Sequence, residues 1–304
     1  MKALVIRNTG SWYDVRTDDG QLFACKVKGN FRLRGIRSTN PIAVGDWVEF
    51  DPSSSFITEI HDRRNFIVRR ASNLSKQSHI IAANVDLACL VVTIVHPETS
   101  TTFVDRFLAS AEAYRVPVCI IFNKVDLYDE AARSCLDSLM ALYGSLGYAC
   151  HAVSAVSGEG LDALLNELKG KTSLFSGNSG VGKSTLLNRL VPDAEARVAE
   201  LSEAHDQGQH TTTFSEMFDL PDGGAIIDTP GIRGFGTFDF ERAEVGHYFR
   251  EIFAIGQNCR FSDCTHTHEP GCAVQAALDN NEIAESRYMS YLSILEDKDE
   301  EKYR

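Results

Sequence analysis

The hydrophobic pattern of the chain changes near residue 85, which divides it into two kinds of structure. Before about residue 70, apolar residues occur in short β-rich runs separated by turn signals, among them KALVIRN, SWYDVRT, QLFACKVKG and GDWVEF. Short runs of this kind, bounded by turn residues, are typical of β-strands. Several such strands within about 70 residues predict a small β-barrel, for which the OB-fold is the best match.

Beyond residue 85 the pattern predicts a parallel sheet covered by helices. LACLVVTIV (87–95) and VPVCIIFN (116–123) are continuous apolar runs, as expected for strands buried on both faces. Helices are predicted between these runs, where Phe103, Phe107 and Ala111 follow helical spacing, and also over 129–146, over 161–169 and from Lys183. Further strands are predicted at 148–154, TSLFSG, FSEMFDL and GAIIDTPG. Strands that alternate with helices form parallel α/β sheets.

The last part of the chain differs again. After Gly236 the pattern becomes helical and polar, and the chain ends in the acidic stretch LEDKDEEKYR, which we interpret as a tail. We therefore predict a multidomain protein with three parts: an OB-fold barrel at 1–70, an α/β domain at 71–235 and a small, mainly helical domain at 236–304.

Composition indicates a soluble protein. Hydrophobic residues make up 43% and charged residues 24% of the 304 residues, as in ordinary globular proteins. No apolar run approaches the roughly 20 residues that span a bilayer, and the N-terminus lacks the pattern of a signal peptide. We expect a monomeric, cytoplasmic protein that does not bind membranes.

Charge is unevenly distributed along the chain. The net charge is −12, yet residues 1–70 carry 12 Lys and Arg against 8 Asp and Glu, so that the front of the chain is positive. Lys26, Lys28, Arg32, Arg34 and Arg37 surround Phe31, and basic residues beside an aromatic suit a single-stranded or looped RNA. An ordinary solvated loop with Phe31 in the core is the alternative interpretation.

A phosphate-binding loop lies at residues 177–184, GNSGVGKS, between a predicted strand and a predicted helix. Glycines let the backbone N–H groups turn toward phosphates, and the helix N-terminus adds its positive dipole end. Lys183 is expected to reach the β- and γ-phosphates, and the Ser184 hydroxyl to bind Mg²⁺. The residues predicted to bind here are Gly177, Asn178, Ser179, Gly180, Val181, Gly182, Lys183, Ser184 and Thr185.

A guanine-specificity motif precedes the phosphate loop, which reverses the usual order and indicates a circular permutation. Residues 123–126 read NKVD and follow a buried strand. The Asp126 carboxylate can accept hydrogen bonds from the two N–H groups on one edge of guanine, while Asn123 braces neighbouring loops and Lys124 packs on the base. Ser154 and Ala155, at another strand end, can offer a backbone N–H to the guanine oxygen.

The remaining switch residues follow the phosphate loop. Asp228 and Gly231 belong to the sequence DTPG, in which the aspartate holds Mg²⁺ through water and the glycine N–H senses the γ-phosphate. A threonine of the run at 211–213 is expected to close over Mg²⁺. We choose Thr212 because a β-like run begins just after it, and Thr211 and Thr213 stay open. Ser184 and Thr212 are thus the predicted magnesium ligands.

The group that positions the attacking water is not obvious. Many GTPases have Gln directly after DxxG, but this chain has Ile232, which cannot hydrogen-bond to water. Intrinsic hydrolysis is therefore expected to be slow unless another group acts. His210 is the candidate, with Lys183 and Thr212 as the other predicted catalytic residues. A structural switch-loop histidine is the alternative role for His210.

Three of the eight cysteines form a cluster with a histidine, Cys259-x4-Cys264-x-His266-x5-Cys272. Three thiolates and one imidazole within about 14 residues match a closed Cys₃His zinc site, which is structural because no ligand position is open. His268 is a rival ligand to His266. Cys89 and Cys119 lie inside apolar runs and are expected to be small core residues.

Together these motifs resemble the RsgA/YjeQ-type GTPases, and the resemblance covers nearly the whole chain. It rests on VGDWVEF, the ANVD segment at 83–86, NKVD, GNSGVGKST, the HTTT run, DTPG with a following apolar residue, and the Cys₃His spacing. The resemblance implies an OB-fold, a permuted GTPase domain and a zinc domain. It also implies GTP and the small ribosomal subunit with its rRNA as partners, and a role in late subunit maturation with subunit-stimulated hydrolysis. Gln209 departs from the basic residue expected before His210.

Two other functions remain in competition with this one. A phosphate loop also occurs in ATPases and kinases, although NKVD and Ser154-Ala155 argue against them. A non-enzymatic RNA-binding module with nucleotide as a regulatory ligand is compatible with Ile232. Removal of residues 1–70 is expected to weaken subunit binding and its salt dependence, because basic RNA contacts are lost, and to leave nucleotide affinity nearly intact.

Overall fold

A computed structural model describes residues 1–27, 41–70, 78–191, 215–228 and 241–301. Within these ranges, eleven strands form one continuous sheet, in which the strands of the α/β half are followed by those of the N-terminal barrel. Two further strands, β6 (Phe66–Arg70) and β7 (Ser78–Ala83), form a separate hairpin. No helix in these ranges is both long enough and apolar enough to cross a membrane.

Five strands of the sheet close into the predicted barrel. They are β1 (Lys2–Asn8), β2 (Tyr13–Arg16), β3 (Leu22–Val27), β4 (Trp47–Asp51) and β5 (Phe56–Ile60). β1 pairs with β4 as well as with β2, and β3 pairs in parallel with β5, so the barrel closes in the order of an OB-fold. Its interior is lined by alternate residues of the strands, among them Val5, Val15 and Val48.

The α/β half of the molecule holds the motif-bearing strands. β8 (Leu87–Val92), β9 (Val118–Phe122), β10 (Ala149–Ala152), β11 (Thr172–Ser176) and β13 (Ala225–Asp228) are parallel, and β12 (Ser215–Asp219) is antiparallel to β13. The helices are α1 (Thr101–Ala113), α2 (Glu130–Ser145), α3 (Leu161–Leu168) and α4 (Lys183–Leu190). Parallel strands place their carboxyl ends at one edge, where ligands of open α/β sheets bind.

Two sequence motifs hold the barrel against the α/β half. The Ala83 N–H donates to the Val44 carbonyl, and the Asn84 side chain donates to the Gly45 carbonyl at 2.9 Å. A side chain at Gly45 would place its Cβ 2.1 Å from the Ala83 carbonyl oxygen, and the φ of Gly45 is +93°, so only glycine fits. VGD and ANVD are therefore the two sides of one docking contact.

The C-terminal region packs on helix α1. It contains α5 (Arg250–Gly256), α6 (Ala273–Asp279) and α7 (Glu285–Glu301), and its apolar core includes Ala109 of α1. Arg287 of α7 is 1% exposed and donates to Asp105 of α1 at 2.8 Å and to Glu251 of α5 at 2.6 Å. The Tyr143 hydroxyl donates to the same Asp105 oxygen at 3.0 Å. A buried charge network thus joins this region to the α/β half.

Most predicted elements are confirmed, and four differ. β5 and the hairpin strands β6 and β7 were not predicted, since each has only five or six residues and its apolar residues do not alternate strictly with polar ones. The acidic stretch interpreted as a tail belongs instead to α7, at least to Glu301, because the apolar residues before it dock the helix. Cys89 and Cys119 are fully buried and lie opposite each other on β8 and β9, which confirms them as core residues.

Candidate nucleotide site and metal cluster

The phosphate loop connects β11 to α4, as the motif requires. The Lys183 ammonium donates to the carbonyls of Gly177 at 2.8 Å and Asn178 at 2.7 Å, which folds its side chain over the loop. An ammonium has three protons, so one remains for a phosphate oxygen. Ser184 and Thr185 are exposed in the first turn of α4, with their hydroxyls at the positive end of the helix.

Two glycines of the loop are required by close approach of other atoms. At Gly177, φ is +148°, and a Cβ would lie 2.2 Å from the Val91 carbonyl oxygen. At Gly182, φ is +93°, and a Cβ would lie 2.5 Å from the Asn123 side-chain nitrogen. The second contact means that the loop and the NKVD motif are packed directly against each other.

Asn123 joins three loops at one point. It is 1% exposed, and its side-chain NH₂ donates to the Val181 carbonyl at 2.9 Å. Its side-chain oxygen accepts from the Ala155 N–H at 3.2 Å. Asn123 thus links the phosphate loop to the loop after β10, and its contact with a base stays a prediction. Because Ala155 already uses its N–H for this bond, a guanine oxygen at that position would share the donor.

Lys124 and Asp126 flank the same pocket. The Lys124 ammonium donates to the carbonyls of His96 and Gly180, each at 2.6 Å, so its alkyl chain lies between the phosphate loop and the loop that follows β8. Asp126 is exposed in a short 3₁₀ turn, Val125–Leu127, and its carboxylate is open to a ligand. Ser154 is fully buried, and its hydroxyl accepts from the Ser157 N–H at 3.0 Å.

Sequence reasoning missed one residue of this pocket. Tyr128 is buried, and its hydroxyl donates to the Asn123 carbonyl at 2.7 Å while it accepts from the Ile94 N–H at 2.9 Å. It therefore ties NKVD to the loop after β8. An aromatic residue two positions after Asp126 was the available signal, but nothing local indicated which backbone groups it would reach.

Asp228 ends β13 at the phosphate side of the sheet and is half-buried. Burial lowers the pKa of Lys183, and the negative charge of Asp228 partly offsets this effect. A hydroxyl on the first turn of α4 and a carboxylate at the end of the neighbouring strand are oxygen donors of the kind that Mg²⁺ prefers. These residues therefore fit a magnesium ion that arrives with nucleotide.

Several predicted site residues fall outside the part of the chain that the structure describes. They are Gln209, His210, Thr211, Thr212, Thr213, Gly231 and Ile232, together with all but the first two residues of the basic stretch between Lys26 and Arg37. Their predicted roles stay predictions.

The Cys₃His residues converge at one point. The ligand atoms of Cys259, Cys264, His266 and Cys272 all lie within 4.8 Å of one another. His266 Nδ1 is 3.5 Å from both Cys259 Sγ and Cys272 Sγ, and these two sulfurs are 3.9 Å apart. A tetrahedral zinc ion would separate sulfur from sulfur by about 3.8 Å and sulfur from nitrogen by about 3.6 Å. The spacing thus fits a metal and excludes a disulfide, which needs about 2 Å.

The surroundings of the cluster also suit a metal. The N–H groups of Ala273 and Gln275 donate to Cys259 Sγ at 3.3 Å and to Cys272 Sγ at 3.4 Å, which favours thiolates. Burial lowers the pKa of His266 and favours the neutral imidazole that a metal needs. His268, the rival ligand, is exposed and has Nδ1 2.8 Å from the Thr267 hydroxyl. His266 is therefore the histidine of the cluster.

Comparison with known families identifies two matching regions. Residues 60–238 match the family described as RsgA GTPase, and residues 2–56 match the RsgA N-terminal domain. A small ribosomal subunit biogenesis GTPase RsgA of Bacteroides fragilis is 65% identical over 307 residues, which is 100% of this chain and 99% of that protein. A protein of the same description from Porphyromonas gingivalis is 59% identical, with the same coverage of both chains.

Solved structures agree with these matches. YjeQ from Thermotoga maritima superposes with a TM-score of 0.77 at 36% identity, covering 97% of both chains. YloQ, described as a circularly permuted GTPase, superposes with a TM-score of 0.74 at 27% identity, covering 100% of this chain and 96% of the other. A solved relative that is described as circularly permuted thus shares its fold with this chain over the whole length.

Proposed function

Because the chain belongs to the RsgA GTPase family and is a GTP hydrolase, we propose that it acts on the small ribosomal subunit and assists the late maturation of that particle. Two of the relatives carry the description of a small ribosomal subunit biogenesis GTPase, and their similarity covers the full chain. GTP and GDP are its small-molecule partners, and rRNA of the subunit is its macromolecular partner.

One contact carries the nucleotide part of the proposal. Asn123 of the guanine motif is hydrogen-bonded to Val181 of the phosphate loop, although the two are 58 residues apart in the chain. This bond sets the base-reading Asp126 and the phosphate-binding Lys183 in one pocket. A pocket that reads both the base and the phosphates selects guanine nucleotides over adenine nucleotides.

Each residue of the site has a proposed role in binding or hydrolysing GTP. Lys183 donates to the β- and γ-phosphates with its remaining proton, and the N–H groups of residues 177–184 line the phosphates. Ser184 and Thr212 would hold Mg²⁺, which would neutralise phosphate charge, and Asp228 would accept a hydrogen bond from a water bound to that ion. Gly231 contacts the γ-phosphate, and His210 positions the attacking water in the place of the Gln that Ile232 replaces.

The Cys₃His cluster holds one structural zinc ion in this proposal. Three thiolates and one imidazole leave no ligand position for water or substrate. The ion would therefore support the fold around α6, where Cys272 caps the helix by accepting from Gln275, and it would take no part in hydrolysis.

We further propose that nucleotide controls release from the subunit. The chain divides into the barrel (1–70), the permuted GTPase domain (71–235) and the zinc domain (236–304), with the hairpin β6–β7 spanning the first boundary. The barrel and the zinc domain grip rRNA from two sides, and loss of the γ-phosphate weakens the grip. The protein works as a monomer in the cytoplasm and away from membranes.

Hydrolysis assays with and without purified small subunits test the function. GTP turnover is expected to be slow alone and to rise strongly with subunits, whereas ATP turnover stays at background in both cases. Large subunits serve as the matched control for RNA charge. Equal stimulation by both subunits, or none, would refute a small-subunit function while leaving guanine specificity intact.

A further inference from the structure

The barrel is built into the edge of the GTPase sheet rather than attached to its surface. β12 lies between β13, which ends at Asp228, and β1 of the barrel. It pairs with β13 from Glu216↔Asp228 to Asp219↔Ala225, and with β1 at Arg7↔Glu216 and Asn8↔Ser215. A strand added to a sheet edge fixes that edge by main-chain hydrogen bonds. Here the added strand belongs to the same chain.

A row of charged positions crosses this junction. Asp14, Arg7, Glu216 and Asp228 are successive partners in register on β2, β1, β12 and β13. Directly opposed residues of antiparallel strands share one face, with Cβ atoms about 4.5–5.5 Å apart. The row therefore places Glu216 between Asp228 and Arg7 on one face of the sheet. Arg7 also pairs with Asp14 at 3.6 Å.

A second barrel arginine holds the other end of β12. Arg16 of β2 forms two hydrogen bonds to the Asp219 carboxylate, one of them at 2.9 Å from Nη2 to Oδ1. Two parallel bonds between a guanidinium and a carboxylate fix direction as well as distance. The barrel thus supplies one arginine at each end of the strand that lies beside Asp228.

We propose that Arg7 and Arg16 are positioning residues for the magnesium side of the nucleotide site. Arg7 offsets the charge of Glu216 beside Asp228, and Arg16 fixes β12 through Asp219, so that Asp228 is held where it can accept from a magnesium-bound water. Neither arginine contacts nucleotide. The inference rests on the proposed role of Asp228. It also departs from the expectation that removal of residues 1–70 leaves nucleotide affinity nearly intact, because that removal would uncover β12 and weaken magnesium-dependent nucleotide binding.

Release of a fluorescent GDP analogue, titrated with Mg²⁺ in the full-length protein, measures this role without hydrolysis. Arg7→Met with Arg16→Met keeps the alkyl stems and removes both charges. The Mg²⁺ concentration that half-maximally slows release is expected to rise roughly threefold or more, since each surface ion pair contributes modestly. Release in excess chelator stays unchanged, because the base and phosphate contacts are intact. Lys2→Met is the matched control, because it removes a cation from β1, the strand of Arg7, at the end that does not pair with β12.

Two further variants separate the possible outcomes. Exchange of the pair, Arg16→Asp with Asp219→Arg, is expected to restore the wild-type Mg²⁺ response that Arg16→Met alone loses. A double arginine variant that responds to Mg²⁺ like Lys2→Met would overturn the inference. Asp228→Asn tests the magnesium role on which the inference rests. An unchanged Mg²⁺ response in that variant would remove the proposed role of Asp228. If Asp228→Asn changes the Mg²⁺ response but the arginine variants respond like wild type, only the positioning role of the arginines is rejected.

Discussion

Replacement of Arg287 by Met is expected to loosen the C-terminal region from the GTPase half. Arg287 is 1% exposed and Asp105 is fully buried, so the substitution leaves Asp105 without its charged partner and Glu251 without two hydrogen bonds. Removal of one partner from a buried pair costs about 3–5 kcal/mol. If this cost lowers the free energy needed to open the C-terminal region locally, the protection of α7 amides from exchange falls by about two to three and a half orders of magnitude.

Hydrogen–deuterium exchange of the metal-loaded protein measures this opening, with peptides from β8 and β9 as an internal reference. Arg106→Met is the control, because Arg106 also links α1 to α7 but is only half-buried, and it donates there to the neutral Ser293 at 3.1 and 3.2 Å. Its loss is expected to cost about 1 kcal/mol. Equal exchange in the two variants would refute the view that the buried charge network holds the region.

The same variant has a pH dependence with a defined sign. Burial raises the pKa of Asp105, and Arg287 opposes that effect. A carboxyl whose pKa is higher in the folded state stabilises the fold at low pH and loses this contribution as pH rises through the folded pKa. Without Arg287 the pKa rises further. The loss of stability in Arg287→Met relative to wild type, measured by hydrogen exchange, should therefore shrink as pH falls toward the ordinary carboxyl range near 4.

The other predictions concern the proposed sites. In equilibrium titrations, Asp126→Asn should weaken the binding of GTP and GDP and should increase the affinity for xanthine nucleotides. Unchanged affinity for guanine nucleotides would show that NKVD is not part of the site. Lys183→Ala should abolish most γ-phosphate-dependent binding with an unchanged melting temperature, and wild-type turnover on subunits would place hydrolysis elsewhere. Freshly purified protein should hold about one zinc per chain by metal analysis, Cys264→Ser should lose it, and the exposed Cys135→Ser should not. Small subunits should co-sediment more protein with a non-hydrolysable GTP analogue than with GDP, and equal amounts would refute nucleotide-controlled release.

Features encoded by neighbouring residues were predictable from the sequence. The phosphate loop, NKVD and the Cys₃His spacing each lie within a short segment, so the residue types and spacings alone indicate the chemistry. The buried strands β8 and β9 were predictable for a similar reason, since a continuous apolar run is typical of a parallel strand that is buried on both faces.

Features that depend on distant segments were not predictable. Asp105 and Arg287 are 182 residues apart, and each looks like an ordinary surface charge until α1 and α7 are packed together. Tyr128 gave no local sign of its bonds to Asn123 and Ile94. The pairing of β12 with the barrel was equally hidden, because either strand alone is compatible with a free sheet edge.

The pairing of β1 with β12 also has a consequence for synthesis of the chain. Arg7 and Glu216 are about 200 residues apart, so a ribosome that adds roughly 5–20 residues per second makes them some 10–40 s apart. The barrel can close on its own core once residue 60 has emerged. During that interval the end of β1 at Arg7 and Asn8 lacks the strand β12 with which it later pairs. The folded barrel therefore presents an unpaired strand edge until β12 is made. Slow translation of the second half of the chain would prolong the exposure of that edge to chaperones and proteases.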